Sequence, residues 1–228
     1  MTPQDFILLQ PHLERVQLTR NMILAGAGQP IEHAYFPEGG VASVVAVDGR
    51  GMRTEVGLFG RDGMCGIALL LGADSSPLET FMQVPGGTAL RVTSEHLLRA
   101  VAESGSLRGL MFRFAQAFII QISHTAASNA SAGLQARLAR WLLMCHDRVD
   151  GDDIPLTHQF LAMMLSVRRS GVTVILQQLE KSGAVRGARG LIRVVDRARL
   201  EQVAGDAYGA SEAEYRRLIG PFGKSPRP

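Results

Sequence analysis

Two cysteines, Cys65 and Cys145, are all that the 228 residues contain, and they lie far apart among apolar neighbours. With no CxxC pair, the spacing argues against a structural zinc site and a disulfide framework, and it suits a reducing cytosol. No uncharged run is apolar enough to cross a bilayer. The longest, residues 114–136, carries Gln116, Gln121, Ser123, His124, Ser128, Asn129, Ser131 and Gln135, too many polar groups for hydrocarbon. The opening "MTPQDFILLQPHLERV" has no basic lead and no long apolar run. No signal peptide is expected, the expected compartment is the cytoplasm, and no membrane partner is expected.

Catalytic signatures are missing as well. There is no GxSxG, no phosphate-binding glycine loop with lysine and no HExxH, so no catalytic residues are assigned and an enzyme is not expected. His146-Asp147 in "CHDRVD" resembles a metal-phosphohydrolase pair, but that chemistry needs further His and Asp residues converging on the metals. The pair is expected to end an exposed helix, where histidine suits the dipole. No N-terminal cysteine cluster offers an iron–sulfur site, and no spacing selects His33, His96 or His124 as haem ligands. The expectation is no metal and no cofactor.

Charge is unevenly spread. Residues 1–130 contain no lysine and carry a net charge of −2, whereas residues 131–228 carry +5. A basic excess confined to one part of a chain suits contact with a polyanion.

With a hydrophobic fraction of 46% a core can form without staples. The first half reads as strands. "VASVVAV" (41–47), "RTEVGLF" (53–59), "TFMQV" (80–84) and "TALRV" (88–92) are short β-branched runs separated by glycine turns at 48–51, 60–63 and 85–87. That spacing predicts an antiparallel barrel, roll or jelly roll. "SEHLLRAVAES" (94–104) then switches to helical spacing. From Ser106 a long helix is predicted, with Leu107, Leu110, Met111, Phe114, Phe118, Gln121, Ile122 and Thr125 on one stripe. A helix apolar around so much of its circumference needs more than one partner surface. One face is expected on the barrel and the other on a second copy of the chain. A hinge near 129–133 leads to a second amphipathic helix, which the acidic "DGDD" (150–153) ends as a loop. The tail "GPFGKSPRP" is expected to fray.

The stretch that follows the acidic loop carries the function. Thr157 can cap a helix containing Phe160, Leu161 and Met164, with Leu156 and Leu161 placed as a hydrophobic staple. Leu165-Ser166-Val167 makes a turn, and Val167 plugs the angle between two helices. The second helix buries Val172, Ile175, Leu176 and Leu179 and stops at Gly183. This is the helix-turn-helix pattern. "AVRGARGLIRVV" reads as strand, basic turn and strand, a wing, before Asp196 caps a helix with Leu200 and Val203.

Two arginines, Arg168 and Arg169, open the second helix, at the end where its dipole disfavours cations by about 0.3–1 kcal/mol each. The first turn of a recognition helix enters the DNA major groove, and a bidentate arginine–guanine contact contributes roughly 1–3 kcal/mol of discrimination. The complex outweighs the cost in the free chain. Arg168, Arg169, Ser170, Thr173 and Gln177 are the expected DNA-reading residues, with Thr157 and His158 beside them.

Residues 154–204, above all "LTHQFLAMMLSVRRSGVTVILQQLEKSGAV", resemble the winged helix-turn-helix of the Crp–Fnr (catabolite activator-like) family of bacterial transcription regulators. The resemblance covers nearly the whole chain, strongly from Leu134 onward. It implies an α+β fold: a cyclic-nucleotide-binding-like antiparallel β-roll, a long dimerisation helix and a C-terminal winged helix-turn-helix. The implied domains are 1–130, a sensor carrying the dimerisation helix at about 106–128, and 131–228, the DNA-binding part. It implies a homodimer on a near-palindromic operator of double-stranded DNA, with the dimer interface at Leu107, Leu110, Met111, Phe114, Phe118, Gln121 and Ile122. RNA polymerase is a further implied partner. Arg186, Arg189 and Arg193 in or near the wing are phosphate-contact candidates, which position without reading sequence.

The departures from the family pattern matter. Arg169 matches the family's first DNA-reading arginine, but Ser170 stands where an acid is usual and Val174 where a second arginine is usual. Cyclic-nucleotide binders in the family carry Gly-Glu and, about ten residues on, Arg-Ser. This chain has Gly66-Ile67 and Pro77-Leu78, so the carboxylate for the ribose and the cation for the phosphate are both missing. Nearby Glu79 has the wrong sign. Gly66, Ile67, Pro77 and Leu78 are therefore expected to leave an apolar or filled effector pocket, and response to cAMP is not expected. A small-molecule or redox effector, the latter through Cys65, is the alternative. A winged scaffold that contacts proteins without reading DNA is the alternative from another class.

Overall fold

The computed structural model describes residues 1–49 and 51–224. Arg50, in the expected turn at 48–51, and residues 225–228 of the tail lie outside the described residues.

The chain opens with α1 (Pro3–Leu9). Thr2 caps it reciprocally, its hydroxyl accepting from the Asp5 N–H while the Asp5 carboxylate accepts from its own. Strands β1 (Glu14–Gln17), β2 (Ile23–Ala25), β3 (His33–Pro37), β4 (Val41–Val47) and β5 (Arg53–Phe59) follow. After the one-turn helix α2 (Ile67–Leu70) come β6 (Leu78–Val84) and β7 (Thr88–Thr93). They form two antiparallel sheets, β2-β6-β4-β5 and β1-β7-β3. This is the expected roll, with β4 and β5 at the predicted bounds. Val41 to Val45 are buried without alternation, because β4 is covered on both faces.

Helix α3 (Ser94–Glu103) leads to the long α4 (Gly105–Ser131). Ala132 and Gly133 break the chain before α5 (Leu134–His146). Then come β8 (Asp153–Ile154), α6 (His158–Met164), α7 (Arg169–Lys181), β9 (Val185–Ala188), β10 (Leu191–Val194), α8 (Arg197–Ala204) and α9 (Ala210–Leu218). Strands β8-β10-β9 form the wing sheet. Asp153, expected in the acidic loop, thus opens a third wing strand. Among the described residues no single helix is long and apolar enough to cross a membrane.

The stripe expected to pair two copies is already covered within the chain. Leu107, Met111, Phe114, Phe118 and Gln121 are buried, while Leu110 and Ile122 are half-buried. Gly57 and Gly63 make the close approach possible: a Cβ on them would stand 2.9 Å from Phe118 Cζ and 2.5 Å from Phe114 Cζ. Gln121 Oε1 accepts from the Leu58 N–H at 2.8 Å, which ties α4 to β5. On the other side lies α9, whose Tyr215 packs with Ile219 against the cluster holding Met111 and Phe114. This cover within the chain was not expected, because α9, with few apolar residues, left little trace in the hydrophobic pattern. What α4 leaves exposed is a different stripe: Phe112, Gln116, Ile119, Ser123 and Ala127, at steps of three and four.

The end of α5 is also buried. His146 and Asp147 are 3% and 5% exposed, so the expected exposed helix end is corrected. Asp147 accepts from Arg197 at 2.9 Å, from the Tyr208 hydroxyl at 2.6 Å and from the Lys224 N–H at 3.1 Å. His146 lies 3.0 Å from Asp152 and 3.1 Å from Arg197 Nη1. Its imidazole is held below its ordinary pKa, first by burial. Next to it Arg148 makes a buried two-point pair with Asp62, at 3.0 and 2.7 Å. The tail is not frayed up to Lys224: Phe222 lies under the Arg148 guanidinium at 4.8 Å and against Tyr215 at 4.7 Å. Burying charge demands such partners, and removing one partner of a buried pair costs about 3–5 kcal/mol.

One apolar cluster runs from the roll into the C-terminal part, joining Val41, Leu58 and Phe81 to Trp141, Leu142 and Leu161. The Phe81 ring meets Phe160 edge-on at 6.1 Å. Thr54 and Ser166 hydroxyls lie 2.8 Å apart. The roll therefore holds α6 by its turn end.

Candidate nucleic-acid interface

Local sequence fixes the geometry of α6 and α7. Thr157 caps α6, its hydroxyl accepting from the Phe160 N–H at 3.2 Å. Leu161, Ala162 and Met164 are buried. Ser166 takes a left-handed φ of 52°, and the Val167 N–H then returns to the Ala162 carbonyl at 2.9 Å. The axis turns through 109° between α6 and α7, within the range of helix-turn-helix pairs. Val167 is half-buried and packs on the shared core, as the plug of that angle. Helix α7 seats Val172, Leu176 and Leu179. Its N-cap is Arg168, whose side chain has no acceptor and makes no cap hydrogen bond; Arg168, Arg169 and Ser170 are exposed.

An open groove of about 640 Å³ lies between α7 and the wing. Thr157, His158, Arg169, Thr173, Gln177 and Arg189 all line it. Six of the ten sequence-predicted DNA residues thus converge on one surface. Arg168 and Ser170 stand exposed at the head of α7, and Arg186 is exposed on β9. Arg193 is different. Its guanidinium makes two bonds to Asp153, at 2.6 and 2.5 Å, and these hold the Asp153 carboxyl below the usual carboxylate range. Thr173 is already engaged: its hydroxyl donates to the Arg169 carbonyl at 3.1 Å and lies 3.1 Å from His158 Nδ1. Its geometry suits it to fixing α7 on α6 more than to reading a base.

Glu180 and Asp153 were not anticipated in this surface, and Val174 was noted only as the position where a second arginine is usual. Glu180 Oε1 accepts from the Gly187 N–H at 2.6 Å and fastens the wing to α7. A Cβ at position 187 would stand 2.8 Å from that oxygen, so a side chain there would push the Glu180 carboxylate away from its bond to the wing. Asp153 holds Arg193. Val174 is 52% exposed, one turn beyond Ser170 and beside Gln177, with its methyl groups facing solvent. A lone apolar residue on the polar face of a helix was the available signal.

The second candidate site is a cavity of about 230 Å³ between the roll and α4. Gly66, Ile67 and Leu78 line it, with Val44, Phe59, Met64, Phe118 and Ile122; Pro77 is not part of the lining. Gly66 has φ 105° at the head of α2, where any side chain would be strained. Glu79 pairs with Arg53 at 2.9 Å and is not in the wall. Cys65 is in the wall, buried, and burial pushes its thiol up to about 12, so it stays protonated and unreactive. Among the described residues no three His, Cys, Asp or Glu side chains are grouped to hold a metal ion.

Residues 136–203 match the family model of the Crp-like helix-turn-helix domain. Over those residues the chain is similar to Crp-like helix-turn-helix domains. Solved structures extend the likeness to 86–90% of the chain. FixK2 from Bradyrhizobium japonicum is 17% identical, with a TM-score of 0.72 over 86% of this chain and 99% of that one. TTHB099, a CRP-family transcriptional regulator from Thermus thermophilus, is 20% identical, with a TM-score of 0.69 over 86% and 99%. A putative Crp/Fnr-family regulator from Eubacterium rectale is 16% identical, with a TM-score of 0.68 over 90% and 95%. At these identities the likeness is one of fold: the Crp-like domain sits behind a roll and long helix arranged as in Crp/Fnr regulators. No curated protein matches the chain at the sequence level.

Proposed function

We propose that this chain is a homodimeric, sequence-specific DNA-binding transcription regulator of the Crp/Fnr type, acting in the cytoplasm, with RNA polymerase as a further partner. One observation carries the reading: Arg169, Gln177, His158 and Arg189 converge on a single open groove between α7 and the wing. Arg168, Arg169, Ser170 and Gln177 read base edges, and Val174 adds an apolar contact suited to a thymine methyl, which only the major groove presents. Arg186 and Arg189 hold phosphates. Arg193 joins them only by giving up Asp153. Thr157 and Thr173 position the others.

The dimer forms through the exposed stripe of α4, Phe112, Gln116, Ile119, Ser123 and Ala127, in place of the covered one. Two α7 helices about 34–36 Å apart then meet successive major grooves and require a near-palindromic site. The division into a sensor, 1–130, and a DNA-binding part, 131–228, falls at the end of α4. The regulator does not respond to cAMP, because Ile67 and Leu78 offer neither a carboxylate for a ribose nor a cation for a phosphate.

Selection of randomised duplex DNA by the ligand-free protein at near-physiological salt tests the reading. An enriched inverted repeat is expected. Binding that is salt-dependent but enriches no sequence would overturn sequence-specific reading.

A further inference from the structure

The cavity between the roll and α4 has no charged group in its wall. Among the described residues its only polar side chains are Ser76, Thr80 and Cys65. An anionic ligand would leave water there without a cation to receive it, at a cost of several kcal/mol or more. An apolar ligand meets the opposite balance. The rim is unusual in the same direction: Leu71 and Ile119 both line the cavity and are 61% and 47% exposed. The walls are held apart by packing. Phe118 packs against Phe59 at a ring distance of 6.4 Å and against Phe114 at 6.2 Å, close over Gly57, where a Cβ would stand 2.9 Å from its Cζ. Such a preformed, mostly apolar pocket with few polar groups is the usual form of a small-molecule site.

From this wall we infer that the cavity is a binding site for an uncharged, mainly apolar small molecule, of the size of a fused two-ring aromatic or a medium-length alkyl chain. A dry apolar cavity of about 150 Å³ accommodates benzene, and the volume here is about 230 Å³, which leaves space for roughly ten non-hydrogen atoms by the same proportion. The Thr80 hydroxyl, hydrogen-bonded to Cys65, keeps acceptor capacity for one donor group of the ligand. Ile119 belongs both to this cavity and to the exposed stripe of α4, so occupancy acts on the helix that is proposed to join two subunits. That regulatory consequence rests on the DNA-binding reading; the binding itself does not.

Met64, 2% exposed, is in the wall and provides the probe. Full-length protein labelled at the methionine methyl carbons is titrated with naphthalene, indole and cAMP, with Met64 assigned through Met64→Leu. Naphthalene and indole are expected to shift the Met64 methyl, saturating at one molecule per chain, and cAMP to leave it in place. Val44→Phe and Ala68→Phe each fill the cavity, and a correctly folded filled variant, judged by an unmoved Met144 resonance, should bind at least tenfold more weakly. A Met64 methyl unmoved by both hydrocarbon probes, moved equally by cAMP, or moved equally in the filled variants would overturn the proposal. DNA binding is measured in parallel by anisotropy on a selected duplex. Probe binding without DNA binding would keep the cavity and remove the regulator reading; DNA binding without probe binding would do the reverse.

Discussion

The Trp141 indole N–H donates to Glu55 Oε1 at 2.5 Å, joining α5 to β5 across the two halves of the chain. Glu55 is buried, and its other oxygen accepts from the Ser43 hydroxyl at 2.5 Å. Burial pushes its carboxyl up to about 7, against the pull of those two bonds and of Arg140 and Arg148. The folded chain therefore holds this proton more tightly than the unfolded chain. The contribution is fully present below about 4.5 and is lost as pH rises through about 7, on the order of 3 kcal/mol. Glu55→Gln should remove that slope. Thermal melts of both proteins from pH 4.5 to 8 should show the difference between them narrowing with falling pH; parallel curves would mean that Glu55 is ionised throughout.

Arg169 and Arg189 should separate base reading from phosphate holding. Arg169→Ala should relax the preference at one base pair per half-site, with a loss of about 1–3 kcal/mol. Arg189→Ala should weaken all duplexes alike and reduce the salt slope by about 1. Quantitative binding to a panel of single-base variants at several salt concentrations decides both.

Val174 is tested by removing a methyl from the DNA. Replacing each thymine of the selected half-site by deoxyuridine should expose one position at which affinity falls by roughly fourfold, the equivalent of about 0.8 kcal/mol per buried methylene-sized group. Val174→Ala should make that position insensitive. Equal sensitivity in both proteins would place the thymine against another residue.

The two stripes of α4 should respond differently. Phe112→Asp with Ile119→Asp should give a folded monomer by light scattering. Phe114→Ala should instead destabilise the subunit itself by about 3–5 kcal/mol, read from denaturant unfolding. A dimer that survives the first change would remove that stripe from the interface.

Phe222 should matter for stability and not for DNA. Its contacts with Arg148 and Tyr215 contribute about 1–3 kcal/mol together, so Phe222→Ala should lower the melting temperature while DNA affinity stays unchanged.

How far the sequence alone reaches follows from which forces set each element. The helix-turn-helix is legible because its signals are local: a threonine cap, a buried triad on α7 and a glycine stop. Strands β4 and β5 are legible because their β-branched runs are long and end in glycine turns. Strands β1 to β3 are short, and β1 carries Glu14 and Arg15, so nothing in their pattern separates them from loops. The errors cluster where distant segments meet. That α4 is apolar on several faces is visible; that α9 takes one of them is not, since Ser211, Glu212 and Arg216 interrupt its apolar pattern. His146 and Asp147 likewise read as surface, and their burial depends on Arg197, Tyr208 and Lys224, far along the chain. The effector cavity was legible as a chemical subtraction, through Ile67 and Leu78, but its volume was not.

Helix α9 closes over Phe114, and Tyr215 reaches back to the Asp62 carbonyl at 2.6 Å. During synthesis the roll and α4 emerge first, and domains tend to fold as they appear. This helix emerges after the roll and α4 that it covers. Until residues 210–219 have emerged, Met111 and Phe114 lack the cover of Tyr215 and Ile219. The order in which the polypeptide is made thus leaves the covering of this apolar face to one of its later segments.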